Sequence, residues 1–378
     1  MQKIYFDNAA TTAIDKEVIS VITKTMSSTF GNPSSTHLFG RSAKVMVEKS
    51  RKAIAEILNC SASEIVFTAG GSEADNLILT NAVKNLGVTR IISTKTEHHA
   101  VLHTIDALKN EYNIQVEHVN LSTNGVVDLD NLNHLLEKSS LKTLVSLMWV
   151  NNEIGTILDL QKVSETCIKN KALLHSDTVQ GLAHLEMDLQ KTPVDFIVAS
   201  AHKFHGPKGV GFAIFKKGFG ILPILHGGEQ ERGARAGTEN THNIAGMATA
   251  FQLATTNIKE EQKNISLLKQ YFIQQLKNNF KDICFNGDSD SATKSASHIL
   301  NVRFDKEYPM LLFNLDLKGI AASGGSACQS GSNKGSHVLN TILSKNDALK
   351  TSVRFSFSKY NTTSEVDFVI NTLKEFIL

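Results

Sequence analysis

Phe196-Ile197-Val198-Ala199-Ser200-Ala201-His202-Lys203-Phe204-His205-Gly206-Pro207-Lys208-Gly209 runs from an unbroken apolar segment into a polar turn closed by glycine and proline. A short apolar run without alternation reads as a strand buried on both faces. Lys203 stands just beyond it, among Ser200, His202 and His205. An ammonium there is expensive, and desolvation favours the neutral, nucleophilic amine. Such an amine is what Schiff-base chemistry with an aldehyde requires. A solvated loop lysine is the ordinary alternative, and three more polar groups converging on one turn argue against it.

Outward from this turn the pattern repeats. Ile65-Val66-Phe67-Thr68, Ile91-Ile92-Ser93, Leu144 to Met148, Ala172 to His175 and Val210 to Phe215 are further short apolar runs. Helical spacing lies between them, as in Val101, Ile105 and Leu108. This alternation predicts an α/β fold, a mostly parallel sheet flanked by helices. The texture changes after about residue 255. Ile265, Leu268, Phe272, Leu276 and Phe280 mark one long amphipathic helix, and Thr362-Thr363-Ser364-Glu365 reads as a capping box opening the last one. The expected organisation is a large domain over 13–257 and a smaller α+β domain from 1–12 and 258–378.

The chain has 378 residues, 41% hydrophobic and 20% charged, an ordinary globular composition with a sizeable core. Lys and Arg number 39 against 37 Asp and Glu, a net +2, which gives no electrostatic case for nucleic acid or an anionic membrane. No apolar stretch reaches the length of a membrane span, and Met1 to Asp7 opens no signal-peptide core. A cytoplasmic protein is expected. Cys60, Cys167, Cys284 and Cys328 are far apart with no C-x-x-C pair, so zinc-ribbon and thioredoxin patterns fail. The first three sit beside periodic apolar patterns and are expected as small packing residues. Cys328 lies in Ser323-Gly324-Gly325-Ser326-Ala327-Cys328-Gln329-Ser330-Gly331-Ser332, a Gly/Ser loop with no core to join. An accessible thiol there is either a chance residue or a working nucleophile.

Several other groups carry chemistry. Gly70-Gly71-Ser72-Glu73 follows a strand and opens a helix, which suits a phosphate, or is an ordinary turn with a Ser N-cap. Neither a Walker loop nor G-x-G-x-x-G is present. Asp177 ends an apolar run, with Gln180 three residues on. A carboxylate at that strand edge can pair with a pyridinium N–H, or can simply cap a turn. His98 can stack on a flat ring or pass protons. His99 and His103 have the spacing of a metal pair but lack a third ligand. Asn151-Asn152-Glu153-Ile154-Gly155 follows a strand-like run, and its amides can bond a cofactor oxygen or a substrate carboxylate. Arg354, inside Ser352-Val353-Arg354-Phe355-Ser356, needs an anion: a substrate carboxylate or an internal Asp or Glu. Arg235 to Asn240 is a polar turn able to donate to a phosphate.

As an ordered set these motifs resemble the group I cysteine desulfurases of the class V aminotransferase family, fold-type I enzymes that use pyridoxal 5'-phosphate. The likeness covers essentially the whole chain. It rests on Tyr5-Phe6-Asp7-Asn8-Ala9-Ala10-Thr11-Thr12, Phe30-Gly31-Asn32-Pro33-Ser34-Ser35, Thr96-Glu97-His98, Val150 to Gly155, Asp177-Thr178-Val179-Gln180, His202-Lys203 and Gly324-Gly325-Ser326-Ala327-Cys328. The resemblance implies that Lys203 carries the cofactor, His98 stacks on its ring and relays protons, Asp177 pairs with the pyridine nitrogen, and Gln180 bonds the ring hydroxyl. It implies a phosphate site of Gly71, Ser72, Ser200 and His202 completed by Thr238 of the partner subunit, with Asn152 orienting cofactor and substrate. Arg354 would bind the carboxylate of L-cysteine, and Cys328 would take its sulfur as a persulfide, leaving L-alanine. The sulfur would pass to acceptor proteins of iron–sulfur cluster assembly or tRNA thiolation, from a homodimer with no direct nucleic-acid or membrane contact. No permanent metal is implied, only a transient iron–sulfur contact at Cys328. Selenocysteine lyase, or another class V enzyme, is the alternative. Ser72 stands where threonine is frequent, with the hydroxyl kept. Leu378 directly follows the last helix, where housekeeping members carry a further tail that docks the scaffold protein.

Overall fold

A computed structural model describes residues 3–324 and 335–378. In chain order the elements up to the end of the large sheet region are β1 (Ile4–Tyr5), which lies outside that sheet, α1 (Lys16–Ser28), α2 (Leu38–Leu58), β2 (Ile65–Thr68), α3 (Gly71–Lys84), β3 (Arg90–Ser93), α4 (His99–Tyr112), β4 (Gln115–His118), α5 (Leu129–Glu137), β5 (Thr143–Ser146), α6 (Leu160–Lys169), β6 (Leu173–Asp177), β7 (Phe196–Ser200), β8 (Gly211–Phe215) and α7 (Thr241–Thr256). Beyond them come α8 (Ile258–Asn279), β9 (Cys284–Phe285), β10 (Ile299–Arg303), α9 (Leu311–Leu317), β11 (Ile320–Ala321), α10 (His337–Ile342), α11 (Lys345–Ala348), β12 (Ser352–Ser356) and α12 (Thr363–Ile377).

Seven strands form the main sheet in the order β2-β8-β7-β6-β5-β3-β4. From β7 to β4 every pairing is parallel, while β8 runs antiparallel to both its neighbours. This is the mostly parallel sheet the alternating pattern predicts. Strands β2, β3, β5, β7 and β8 are buried at every residue, because helices cover both faces and leave no face for alternation. One apolar cluster gathers α2, α6 and α7 against the sheet. A second packs α3 and α4 on it, through Leu77, Ile78, Val101, Ile105 and Leu108.

A third cluster belongs to the remaining elements. Ile265, Leu268, Phe272 and Leu276 of α8 meet Leu300, Val302, Val353 and Phe355 of the β12-β10-β9 sheet, and Val366, Val369 and Ile370 of α12 close it. Phe6 joins this cluster, because β1 pairs with β11. The capping box that opens α12 is formed as its sequence predicts: Thr362 accepts from Glu365 N–H and Glu365 returns a bond to Thr362 N–H. Cys167 is buried and Cys60 partly so, but Cys284 is exposed, which corrects its expected packing role. It sits on β9, a two-residue edge strand whose other side has no neighbour among the described residues. No helix among the described residues is long and apolar enough to cross a membrane.

Candidate active site

The carboxyl ends of β2, β6 and β7 open onto one cavity of about 220 Å³. The crevice beyond such strand ends is where open α/β sheets take their ligands. Gly71, Ser72, His98, Asn152, Asp177, Gln180, Ser200, His202, Lys203 and Arg354 all line it. Ten positions spread over nearly 300 residues of sequence thus converge, as the motif set requires.

Lys203 ends the single turn Ala201–Lys203 that follows β7. Its Nζ donates to Ala9 O at 2.7 Å and Ala10 O at 2.8 Å. The Asn8-Ala9-Ala10 stretch therefore delivers main-chain acceptors to the lysine. Asp177, the last residue of β6, is 6% exposed, and its Oδ1 accepts from Val179 N–H at 3.0 Å. Burial raises its pKa, and His98 and Lys203 oppose that rise. His98 caps α4, its Nδ1 accepting from Ala100 N–H at 3.1 Å. Burial lowers its pKa, so the ring is neutral near pH 7 with its proton on Nε2.

Gly70 and Gly71 make the turn into α3. Gly70 has φ +153°, ψ −175°, a conformation essentially reserved for glycine. A Cβ on Gly71 would lie 2.8 Å from Val179 Cγ2 and 3.8 Å from Ser200 Cβ, so the missing side chain leaves a cradle at a helix N-terminus, where an anion is favoured. The N-cap is Gly70 and not Ser72, which leaves the exposed Ser72 hydroxyl without a capping duty. His202 places Nδ1 3.2 Å from Thr11 Oγ1, and burial, with Lys203 and Lys208, pushes it down to about 4.

Arg354 meets the internal acid that its place in an apolar strand calls for. Its Nη2 lies 2.9 Å from Asp7 Oδ1 and its Nη1 donates to Asn152 O at 2.8 Å. Its Nε is buried with no hydrogen-bond partner among the described residues, so the guanidinium keeps a donor to give. Asn151 is committed elsewhere: its Nδ2 donates to Thr96 O, and its Oδ1 accepts from Glu153 and Ile154 N–H.

Thr238 does not line this cavity; it is exposed and faces a separate hollow with Glu231 and Arg235. Cys328 lies outside the described residues. His99 stacks with His103 at 4.9 Å and lies 4.4 Å from His337, yet among the described residues no three His, Cys, Asp or Glu are grouped to hold a metal ion.

Sequence reasoning missed five side chains at or behind the cavity. Asp75 lines it from α3, and burial, then Asp177 and Glu97, raise its pKa well above the usual carboxylate range. His175 Nε2 lies 3.3 Å from Asp75 Oδ1, with Ser146 Oγ 2.9 Å from its Nδ1. Asp75 stands one turn after Gly71, a spacing that puts it on the cavity face and was a usable signal. Asp7 lies in the Tyr5 to Thr12 motif, which assigned it no role, while His184 and His298 come to the site only through long-range packing, which leaves no local signature.

A match to the Aminotransferase class-V family spans residues 4–369. Cysteine desulfurase IscS of Dictyoglomus turgidum is 35% identical over 381 residues, covering 100% of this chain and 95% of the relative. A solved NifS-like protein superposes with a TM-score of 0.90 at 35% identity, covering 99% of each chain. The structure described as SspA in complex with cysteine superposes with a TM-score of 0.81 at 28% identity, covering 95% of this chain and 100% of that one. With the fold, the strand-end cavity and these likenesses in agreement, the chain belongs to the class V aminotransferases, and among these pyridoxal-phosphate enzymes to the cysteine desulfurases.

Proposed function

We propose that this cysteine desulfurase binds L-cysteine in the 220 Å³ cavity and passes its sulfur to Cys328. The observation that carries the reading is the meeting of Lys203, Asp177, the Gly70-Gly71 turn and Arg354 around one cavity. That set fits pyridoxal phosphate. The glycine cradle and α3 N-terminus suit the phosphate, with Ser72, Ser200 and His202 beside it. Asp177 suits the pyridine nitrogen, and Lys203 suits the aldehyde. When bound, the cofactor supplies an electron sink for the substrate's Cα.

The chain's own groups do the rest. Arg354 receives the substrate carboxylate, with Asn152 alongside, and so orients Cα toward Lys203. Lys203 Nζ takes the Cα proton. His98 Nε2–H stands ready to give or return protons at the leaving sulfur. The Cys328 thiolate attacks that sulfur: an S–S bond forms, the substrate Cβ–S bond breaks, and the carbon skeleton takes up protons as alanine. The products are a persulfide on Cys328 and L-alanine, so no outside oxidant is needed.

The working form is a homodimer in which Thr238 of one protomer completes the phosphate site of the other. Its exposure here, and the stacked Phe30–Phe39 pair at 5.4 Å with both rings more than half exposed, support a face that a second copy covers. The domain division is 13–257 against 1–12 with 258–378, supported by the separate apolar cluster that Phe6 joins. The compartment is cytoplasmic, and the acceptors are iron–sulfur scaffold or tRNA-thiolation proteins.

The test is direct. Purified protein is given L-cysteine, alanine is quantified, and protein-bound persulfide is trapped. Parent enzyme gives both, Cys328→Ala gives no persulfide, and borohydride fixes cofactor on Lys203. Persulfide yield unchanged in Cys328→Ala would sink the transfer step.

A further inference from the structure

The imidazoles of His184 and His298 stack face to face, with ring centroids 3.8 Å apart and planes 15° from parallel. His184 lies between β6 and β7. His298 directly precedes β10, in the other part of the chain.

Their protons can be assigned from their neighbours. Gln180 Nε2 donates to Ala9 O at 2.8 Å, and a carbonyl only accepts, so the amide's orientation is fixed. Its Oε1 then faces His298 Nε2 at 3.3 Å, and that nitrogen carries the proton. His184 Nε2 lies 3.1 Å from Lys203 O, and by the same reasoning donates to it. Burial lowers both pKa values, His184 to about 4 and His298 well below its ordinary value. Each neutral ring therefore has one N–H to give, and each gives it to a different cavity residue.

The contacts close into a circuit. His298 holds Gln180, Gln180 and Lys203 Nζ share Ala9 O, Lys203 O is held by His184, and His184 stacks on His298. We propose that the His184–His298 pair sets Gln180 and Lys203 in register across the cavity, with His298 a positioning residue that acts through Gln180. Without the His298 N–H, the buried Gln180 Oε1 loses its donor, and the bond to Ala9 O is left alone to hold the amide. The second Nε2–H of Gln180 is then aimed less firmly. This rests on the reading that Gln180 bonds the cofactor's ring hydroxyl.

The experiment is a pH titration of the visible band of the cofactor-loaded enzyme, whose midpoint senses a donor on the ring hydroxyl. Gln180→Ala is expected to move the midpoint by about one pH unit. His298→Phe keeps the stack and removes the donor, and moves it in the same direction by about half a unit or more. His298→Gln restores an N–H and returns the midpoint close to the parent's, at an unchanged melting temperature. A parental midpoint in His298→Phe, with Gln180→Ala displaced, overturns the positioning role alone. An undisplaced Gln180→Ala overturns the ring-hydroxyl reading and this role with it. Should His298→Phe not fold, His298→Gln decides: a midpoint displaced as far as that of Gln180→Ala overturns the proposal.

Discussion

Asp7 Oδ1 lies 2.9 Å from Arg354 Nη2, and Ser323 Oγ donates to the same oxygen at 2.9 Å. The arginine side chain is 1% exposed and the aspartate 17%. In the proposed function, a substrate carboxylate would therefore meet a guanidinium already partly neutralised. Asp7→Asn removes the competitor and is expected to lower KM for L-cysteine about threefold to tenfold, with kcat little changed. Arg354→Lys loses the planar fork and is expected to raise KM about tenfold or more. Steady-state alanine formation reads both; a raised KM in Asp7→Asn would show that the ion pair serves the arginine's placement and does not compete with substrate.

Glu97 is 1% exposed, and burial pushes its carboxyl up to about 8, against the lowering effects of the Thr94 hydroxyl and Met148 N–H. The folded pKa is above the unfolded value. The stability it contributes is fully present below about pH 4.5 and is lost as pH rises through about 8. Glu97→Gln removes that titration. Relative to the parent, the variant is expected to gain stability between pH 5 and pH 8, by a few kcal/mol at most. Denaturant midpoints at the two pH values check this, and a constant difference would mean that Glu97 is ionised in the folded protein.

The sheet was legible because its strands are buried on both faces, and unbroken apolar runs such as Phe196 to Ala199 follow from that. The lysine turn, Asp177 and the Gly70-Gly71 turn were legible because each sits at a strand end, where sequence and position agree. Arg354 was legible as an arginine in an apolar strand, though not its partner Asp7, nearly 350 residues away. The strands β1, β9 and β11 span two residues each, too few for any period to appear. His184 and His298 meet through tertiary packing alone, and neither sits in a motif that betrays the other.

Several buried histidines set the acid side of the stability curve. Burial pushes His175 down to about 3, and His184, also by burial first, to about 4. In the unfolded chain each binds a proton near pH 6.5. The folded values are lower, so the unfolded state takes up protons first and stability falls as pH drops from about 6.5 towards 4. His175→Asn is expected to flatten the loss between pH 6 and pH 4 by up to about 1.4 kcal/mol per pH unit. Chemical denaturation of parent and variant across that range measures it, and equal slopes would mean that His175 titrates normally.

Gly70 links the fold's stability to the proposed phosphate cradle. Its φ of +153° and ψ of −175° are reached at low cost only without a Cβ. A Cβ there has room, the nearest atom being Ser200 Oγ at 3.4 Å, so the penalty of Gly70→Ala is backbone strain and not a clash. It is expected to destabilise the protein by about 1–3 kcal/mol. The strain can be relieved only by turning the peptide that leads into α3, and that moves the Gly71 N–H away from the cradle. Cofactor retention on dialysis, read as visible absorbance per chain, should therefore fall more in Gly70→Ala than in Gly87→Ala. Gly87 also has positive φ, at 69°, but lies far from the cavity in the α3–β3 connection. Equal retention in the two variants, at matched loss of stability, would separate the turn's conformation from anion binding.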